Sequence, residues 1–541
     1  MLKPVSKEAR WIFGAALTTL GYIYLMSFRS PIIVDFGVLI DRTWRIYLGQ
    51  VPCRDFYCPS TPLTYWIQAL LFKIFSPGMF PMKVFLAVEM AVLVGLAGWL
   101  AWKVLGAGGK LLWVLLPVFM VWLPGVHLMI PWYDCDSLFF GFGALCLLAA
   151  GARTEGGRGG AVWIFLAGAA SGLSFLSKQN VGGASVIAAF AFLAAIRSGT
   201  GARAAKFLAY SLGFALALAA AGGYFAAHGA LKEAVYWIFQ RATQRYGEGS
   251  LAGSMWESFV RILTGPENRF LKFILIFYVW ALVLTARERL SGKAEGGLRL
   301  GVTLYATLAM GITILHFHGL YYPIHQVYLG VIFAVLFTSD PFRGVIPSEL
   351  VRKPAFLFLG AAALLSIFWG GSMRWRQAYS QAGIHWTLDH PRLKGMYFRK
   401  EDHDLVKGLM DLEKTIPRDE KVFIMPDPLF FYYAADRVSP VPMTHFYVSG
   451  YELNEAEQKL IPGMLDKEGV RWALIGQERV FETGFLLFGM EEDWKAAVKS
   501  GRAMTSRSDY SGLRAWLDAN FTEVPGPKGF WALKRKAPAA P

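Results

Sequence analysis

The sequence is short of charged residues, cysteine and histidine, and each shortage excludes a class of protein. Only 17% of its 541 residues are Asp, Glu, Lys or Arg, whereas 55% are hydrophobic. Because soluble domains are about a quarter charged, this composition excludes an ordinary soluble protein. The four cysteines and nine histidines show no zinc-finger spacing. The composition therefore predicts a protein of the lipid bilayer. The Cys and His spacing predicts no structural zinc site.

Long apolar runs are abundant. About twenty helical residues cross the roughly 30 Å hydrocarbon core of a bilayer. By this length rule the sequence predicts about eleven spans, at approximately residues 11–28, 80–104, 111–126, 136–152, 161–177, 181–197, 206–227, 269–286, 300–317, 321–338 and 354–371. The run 62–76 is short, begins with proline and contains a lysine, so it predicts an interfacial helix.

The net charge of +15 reflects topology rather than nucleic-acid binding. Basic residues cluster in short loops between the predicted spans, and such loops stay on the cytoplasmic side. The first run lacks a small-residue cleavage site, which favours an uncleaved helix over a signal peptide. With a cytoplasmic N-terminus, the segments 29–79, 228–268 and 372–541 are expected to face outward.

The composition changes after about residue 371, where charged residues become frequent. Residues 421–425, 471–475 and 529–535 read as strands, and 402–414 and 509–520 as amphipathic helices. The predicted fold class is an all-α polytopic membrane domain with a small C-terminal α/β extracytoplasmic domain. The predicted boundaries are 1–371 for the membrane domain and 372–541 for the outer domain.

Polar residues gather at the predicted outer ends of the helices. Ionisable groups at membrane depth are costly and usually face a cavity or one another. Carboxylates, cations and aromatics at one interface indicate a site for an anionic, partly lipidic molecule. The candidates are Asp35, Asp134, Asp136, Lys178, Arg241, Arg245, His316, Tyr322 and His325.

Several of these residues lie in motifs that resemble the GT-C membrane glycosyltransferases. The similarity follows the chain in order through most of residues 1–340, and no single motif in it is specific. It lies closest to the protein O-mannosyltransferases, the lipid A aminoarabinose transferases and the RgtA/B/C/D-like bacterial enzymes. The motifs are Asp35 after the first span, "WRIYLGQVPCRDFY", "PSTPLTYW", "YDCDSLFFGF", "GLSFLSKQNVGG" and "LYYPIHQVYLG". The later "FFYYAADRVSP" is similar to the tail of the RgtA-like branch and favours a bacterial protein.

The resemblance implies a hexosyl or pentosyl transferase that uses a polyprenyl-phosphate sugar as donor. The acceptor is a lipid, glycan or protein at the periplasmic face of the bacterial inner membrane. It implies Asp35 as general base, and a cation, Lys178 with Arg241 or Arg245, for the leaving phosphate. Asp136, Tyr322 and His325 would bind substrate. One carboxylate base with a phosphate leaving group favours a single inverting displacement. The charged segment after the first span would then be the catalytic lid and base.

No cofactor is implied with certainty. Several GT-C members carry an Asp-Glu pair where this chain has Asp35 and Phe36, which weakens the expectation of a divalent metal. His316 and His318 stand two residues apart and do not share a helical face, so they do not favour a metal site either. A divalent metal is an alternative that the sequence does not favour.

Each candidate residue also has a purely structural interpretation. Asp35, Asp134 and Asp136 are all suited to capping a helix N-terminus. Lys178 is suited to snorkelling toward an interface, although a lysine on the outer side runs against the usual bias. Arg241 and Arg245 are suited to pairing with Glu248 or with lipid headgroups. Cys53 and Cys58 are compatible with an outer disulfide and equally with two free thiols.

Two other function classes are compatible with a polytopic chain. A transporter or flippase for a lipid-linked sugar usually shows repeated halves and broken helices near the midplane, and this sequence shows no clear halves. A non-catalytic scaffold explains the helices but not the costly ionisable groups. The hypothesis that the protein is an enzyme predicts that Asp35, Asp136 and Lys178 converge on one cavity.

Overall fold

The structure is a computed structural model that shows a largely helical chain. It describes residues 6–29, 33–107, 113, 120, 130–154, 158–196, 199–241, 251–264, 269–293, 295–316, 327–338, 386–425, 429–443, 455–476 and 511–537. The chain forms two compact units. The helical unit comprises residues 1–27, 82–224 and 249–381, and the mixed unit comprises residues 28–81, 225–248 and 382–541.

The first thirteen described helices account for most of the predicted spans. They are α1 (Lys7–Met26), α2 (Ile33–Tyr47), α3 (Leu63–Ile74), α4 (Met79–Trp99), α5 (Tyr133–Arg153), α6 (Arg158–Ser177), α7 (Gln179–Ala195), α8 (Thr200–Ala227), α9 (Leu231–Val235), α10 (Leu251–Thr264), α11 (Arg269–Leu290), α12 (Gly296–His316) and α13 (Val327–Thr338). Two π-helical turns, Leu100–Val104 and Tyr236–Arg241, continue α4 and α9. Nine of the eleven predicted spans coincide with these helices. The other two, 111–126 and 354–371, lie outside the described residues apart from Trp113 and Met120.

Five of the described helices are long and apolar enough to cross a membrane. They occupy Met79–Val104, Tyr133–Arg153, Gly159–Ser177, Thr200–Ala227 and Gly296–Leu315. Two further predicted spans are shorter apolar helices here, α7 with 17 residues and α13 with 12. The short run that predicted an interfacial helix is α3, which has 12 residues.

Glycines let the helices of the helical unit approach closely. A Cβ added to Gly168 of α6 would lie 1.9 Å from the Tyr210 carbonyl oxygen of α8. In the reverse direction, a Cβ on Gly213 of α8 would lie 1.9 Å from the Phe165 oxygen of α6. Only glycine fits at both positions, as is common where helices meet through small residues. This contact fixes α6, whose C-terminal end leads to Lys178.

The C-terminal part of the mixed unit is an α/β fold. Its elements are α14 (Lys400–Glu413), β1 (Val422–Met425), α15 (Phe430–Ala434), α16 (Glu455–Lys467), β2 (Trp472–Gly476), α17 (Ser511–Asn520), β3 (Phe521–Val524) and β4 (Phe530–Arg535). The strands form one sheet in the order β1-β2-β4-β3. β1 and β2 are parallel, with Val422 opposite Trp472, while β4 is antiparallel to both of its neighbours.

The predicted combination of apolar helices of membrane-spanning length with a small C-terminal α/β region is confirmed by these elements, whereas the outward location of the α/β region stays a prediction. The runs 421–425, 471–475 and 529–535 are β1, β2 and β4, and the two amphipathic runs are α14 and α17. The strand β3 and the helices α15 and α16 were not predicted. The domain boundary after residue 371 stays a prediction, because residues 339–385 lie outside the described part of the chain.

Candidate active site

Four buried ionisable side chains of the helical unit form a compact group, the carboxylate–lysine cluster. Its members are Glu89 on α4, Asp134 and Asp136 in the first turn of α5, and Lys178 at the N-cap of α7. Their exposed fractions are only 4%, 2%, 0% and 8% respectively. Charged groups this deeply buried need partners, because an isolated buried charge is very costly.

Lys178 and Asp134 pair directly. The Lys178 Nζ lies 2.6 Å from Asp134 Oδ1, and it also lies 4.7 Å from the centre of the Tyr133 ring. The lysine therefore turns into the protein, which argues against the snorkelling interpretation. Asp134 does not cap α5, because the N-cap residue is Trp132 and the Asp134 side chain is bound to Lys178.

Asp136 has a different partner. Its carboxyl group lies beside the carboxyl group of Glu89, which comes from the middle of an apolar run on α4. The cluster thus contains one carboxylate–ammonium pair and one carboxyl–carboxyl pair, and the two aspartates of "YDCDS" belong to different pairs.

Two serines hold the cluster in register. Ser137 Oγ donates to the Ser174 carbonyl oxygen at 2.9 Å, and Ser174 Oγ donates to the Ser137 oxygen at 2.7 Å. Ser137 directly follows Asp136, and Ser174 lies four residues before Lys178. This reciprocal bond between α5 and α6 therefore sets the position of the aspartates relative to the lysine.

A second polar group, the α2 network, lies in the mixed unit. It consists of Asp41, Arg42 and Arg45 of α2, all with exposed fractions of 1% or less, together with the groups they bind. Arg42 Nη1 donates to Ser60 Oγ at 3.1 Å and to the Tyr65 hydroxyl at 3.0 Å. Arg42 thus joins α2 both to Ser60, in the segment between α2 and α3, and to Tyr65 of α3.

Other contacts of the α2 network lie within α2 or reach the C-terminal residues of the same unit. Arg45 Nε donates to Asp41 Oδ2 at 2.8 Å, and Arg45 Nη2 donates to the Val441 oxygen at 2.9 Å. Burial raises the pKa of Asp41, although the neighbouring Arg45 opposes this. The Trp44 indole donates to the Arg437 oxygen at 2.9 Å. These contacts hold α2 in place, and none of them was predicted from the sequence.

Asp35 is the third residue of α2, so it lies inside the first turn rather than at the N-cap. Its side chain lies outside the described residues. The backbone near it is closely confined, because a Cβ added to Gly37 would lie 3.1 Å from the Leu429 nitrogen and 3.3 Å from the Phe430 nitrogen. Asp35 belongs to the mixed unit, whereas Asp136 and Lys178 belong to the helical unit. Their convergence on one cavity therefore stays a prediction.

Arg241 ends the second π-helical turn and is 5% exposed. Its Nη2 lies 2.8 Å from Glu457 Oε2 of α16, so its anionic partner here is a side chain that the sequence analysis did not name. Arg245 and Glu248, and likewise Tyr322 and His325, lie outside the described residues. Their proposed roles stay predictions.

Comparison with solved structures shows a likeness over nearly the whole chain. ArnT from Cupriavidus metallidurans bound to undecaprenyl phosphate superposes with a TM-score of 0.55 and 10% identity, over 96% of this chain and 97% of ArnT. The oligosaccharyltransferase AglB from Archaeoglobus fulgidus, in complex with an inhibitory peptide and a dolichol-phosphate, gives 0.50 and 13%, over 98% of this chain and 75% of AglB. The fold is that of the GT-C glycosyltransferases.

No protein-family model matches the sequence. No curated protein matches it either. The likeness to the GT-C fold is therefore a likeness of structure, because the sequence identity to these two solved structures is only 10% and 13%. Together with the five apolar helices, this fold makes the chain an integral membrane protein.

The described residues can be compared with the expectation about a metal. No group of three or more His, Cys, Asp or Glu side chains in those residues is arranged to hold a metal ion. His316 ends α12, and His318 lies outside the described residues. The divalent metal stays an untested alternative.

Glu89 is the cluster residue that sequence reasoning missed. It is the one ionisable residue in the stretch "FLAVEMAVLVGL", and a carboxyl group in such a stretch is itself a signal of function or pairing. The signal was present, but the partner was not visible, because Glu89 and Asp136 are 47 positions apart in the sequence.

Proposed function

We propose that this protein is a glycosyltransferase that moves a sugar from a polyprenyl-phosphate donor to an acceptor. The observation that carries the proposal is the GT-C fold over 96% of the chain, shared with an ArnT structure that holds undecaprenyl phosphate. AglB, the second structural neighbour, was solved with a dolichol-phosphate. The proposed place of action is the periplasmic face of a bacterial inner membrane, in accord with the positive-inside reading of the basic loops.

The proposed reaction is one inverting displacement. The acceptor hydroxyl or amine attacks the anomeric carbon of the sugar while Asp35 accepts its proton. The bond between the anomeric carbon and the phosphate oxygen breaks, and the electron pair leaves with the polyprenyl phosphate. The acceptor gains the sugar and the donor lipid departs as its phosphate, so atoms and charge balance without a covalent enzyme intermediate.

Lys178 is proposed to stabilise the leaving phosphate. Its burial and its 2.6 Å bond to Asp134 support this role, because they hold an ammonium group in a fixed position away from bulk water. Electrostatic stabilisation is most effective when the charge is preorganised in this way. A phosphate beside Lys178 would replace one anionic partner by another. Arg241 is proposed as a helper cation, supported by its burial and its pairing with Glu457.

The α2 network supports the proposed role of Asp35. A general base must be held in a productive geometry, and small displacements of catalytic groups are costly. The helix that carries Asp35 is fixed by contacts of Arg42, Trp44 and Arg45 with groups in the same unit. These three residues are proposed as positioning residues for the base. Arg245, Asp136, Tyr322 and His325 remain proposed substrate contacts.

The test is transfer by purified protein in lipid vesicles, with radiolabelled polyprenyl-phosphate sugars and candidate acceptors. Wild type is expected to transfer label, and Asp35→Asn is expected to lose about 10²- to 10⁴-fold in rate, the usual contribution of a general base. Asp55→Asn is the matched control, because Asp55 lies in the same outward-facing segment and its Oδ2 accepts from the Val51 nitrogen, a bond that asparagine can keep.

Equal rates in wild type and Asp35→Asn would reassign the base. Movement of the labelled donor across the vesicle membrane, without transfer to any acceptor, would favour a flippase instead. An equal loss in Asp35→Asn and Asp55→Asn would indicate a general disturbance of the segment rather than removal of a base.

A further inference from the structure

Two of the four cysteines meet in the segment that joins α2 to α3. Cys53 and Cys58 are 3% and 0% exposed, and both are thiols in this structure. Cys53 Sγ donates to the Cys58 carbonyl oxygen at 3.5 Å, so the two residues are in direct contact. The other two cysteines, Cys135 and Cys146, lie in the core of the helical unit.

The backbone of this segment is shaped to bring the two thiols together. Cys53 adopts a φ of +68°, a left-handed conformation that residues other than glycine rarely take. The Asp55 nitrogen donates to the Val51 oxygen at 2.9 Å, and the Val51 nitrogen donates to Asp55 Oδ2 at 2.7 Å. These bonds close a tight turn around Cys53, and the chain returns so that Cys58 lies beside it.

The same segment supports α2. Cys58 Sγ donates to the Ser60 carbonyl oxygen at 3.2 Å, and Ser60 Oγ accepts from Arg42. Order in the segment is therefore linked to Arg42, one of the residues that fix α2. A covalent link at this point would restrain the segment without altering the arginine contacts.

We propose that Cys53 and Cys58 are a disulfide-forming pair, oxidised when residues 29–79 face an oxidising compartment. The proposal rests on the outward orientation given under the proposed function. Disulfides form and persist on that side of bacterial inner membranes and are rare in the cytosol. The modification is a link within one segment of the chain, six residues from end to end.

The oxidant is a second disulfide, on a protein or a small molecule. The thiolate of one cysteine attacks it and releases one thiol, which leaves a mixed disulfide on this chain. The other cysteine then attacks the mixed disulfide and releases the second thiol. The two cysteines lose two protons and two electrons, and the oxidant takes them up as two thiols.

The order of events follows from burial. The hydrogen bond to Cys58 and desolvation raise the pKa of Cys53, so the folded protein holds little reactive thiolate. Oxidation is therefore expected while the segment is still exposed during folding. Protein that is folded in its reduced form is expected to oxidise slowly when an oxidant is added afterwards.

Arg54 makes the link easy to detect. Trypsin cleaves after it, so the two cysteines fall on separate peptides, residues 46–54 and 55–73. Cells are treated with acid and free thiols are blocked with iodoacetamide before digestion. The expected result is one linked species with the summed mass of both peptides, which separates on reduction. Cys135 and Cys146 are expected to be alkylated without reduction and serve as the internal control.

Alkylation of both Cys53 and Cys58 without reductant would overturn the proposal. The double variant Cys53→Ser/Cys58→Ser provides a second measurement. Reductant is expected to lower the unfolding temperature of wild type by about 2–4 °C, the scale of a small stabilising change in a domain of roughly 150–250 residues. It is expected to leave the double variant unchanged. An equal shift in both proteins would also contradict the link.

These readouts do not depend on sugar transfer. A linked peptide in a protein that transfers no sugar would reject the proposed function and keep the disulfide. Free thiols in a protein whose transfer depends on Asp35 would reject only the disulfide.

Discussion

The carboxylate–lysine cluster and the α2 network are both buried groups of charges, but they satisfy those charges differently. In the cluster, Lys178 binds the Asp134 carboxylate and Asp136 lies beside the Glu89 carboxyl group, so the neighbouring groups are side chains. The α2 network also contains side-chain pairs, such as Arg45 with Asp41, but in addition Arg45 and Trp44 donate to main-chain oxygens of Val441 and Arg437. A side-chain partner can be exchanged for a ligand, whereas a main-chain partner fixes the path of the chain.

This difference separates binding from positioning. Under the proposed function, the cluster takes up the leaving phosphate, and this anion replaces Asp134 beside Lys178. The α2 network is suited to hold a helix still, because Arg437 itself donates to the Ile416 and Glu420 oxygens and so passes the restraint to further segments. The first two predictions below test this distinction, and the third compares these buried groups with an exposed ion pair; they run from the largest expected effect to the smallest.

The largest effect is expected from Lys178→Met. The change removes the cation and leaves Asp134 buried without its partner, and breaking a buried pair in this way costs about 3–5 kcal/mol of stability. Adding Asp134→Leu should restore most of that stability, because a buried ion pair can be replaced by apolar groups. Thermal unfolding in detergent measures both variants.

Transfer activity gives the second readout of this pair. If Lys178 binds the leaving phosphate, the double variant Lys178→Met/Asp134→Leu is stable but inactive. A double variant that regains both stability and transfer would show that the cluster is structural and would remove the distinction drawn above.

An intermediate effect is expected from Gly37→Ala. The added methyl group meets the Leu429 and Phe430 nitrogens at 3.1 and 3.3 Å, so α2 has to shift by a few tenths of an ångström. Because a misplacement of 1 Å can cost 100-fold, this shift is expected to lower kcat roughly tenfold and leave KM unchanged. Steady-state transfer kinetics measure this split.

Gly21→Ala in α1 is the matched control. A Cβ at Gly21 meets nothing within 4 Å, and alanine is the better helix former. Its transfer rate is therefore expected to equal that of wild type. A similar fall in kcat for both variants would show that the contact between α2 and residues 429–430 does not position the base.

The smallest effect is expected from Asp411→Asn, a change in an exposed ion pair. Hydrogen bonds from Lys407 and Lys414 lower the pKa of Asp411 from 3.8 to about 2. Because the carboxylate lies in solvent, the loss at pH 7 should be below about 0.5 kcal/mol. The contribution is present above pH 3.8 and disappears as the pH falls toward about 2.

Unfolding midpoints at pH 7 and pH 3 test this sign. The gap between wild type and Asp411→Asn should narrow at the lower pH. A gap that widens on acidification, or one as large as that of Lys178→Met, would contradict the distinction between buried and exposed pairs.

The helices and strands were largely predictable because their signal is local. Apolar length predicted α4, α5, α6, α8 and α12, and short continuous apolar runs predicted β1 and β2. The strand β3 was missed because "FTEV" is short and half polar, and it becomes a strand through its pairing with β4. The helix α15 has only five residues, too few for a helical period to show.

The site was less predictable because its signal is non-local. The aspartate that binds Lys178 is Asp134, although the sequence analysis favoured Asp136 as the functional one of the two. Both occupy the first turn of α5, and no local pattern separates their roles. Asp41, Arg42 and Arg45 belong to the charged segment after the first span, and all three are buried in the structure. Their partners lie up to 396 positions away, as with Arg45 and Val441.

The sequence by itself determined that this protein is helical and lies in a membrane, because hydrophobic length is a property of consecutive residues that needs no partner. It also determined that ionisable residues lie at or within apolar helices, where burying a charge costs free energy. Only the tertiary structure decided which charges meet, because a buried ion pair is specified by the packing of helices far apart in the chain. Lys178 with Asp134, and Glu89 with Asp136, are the outcome of that packing.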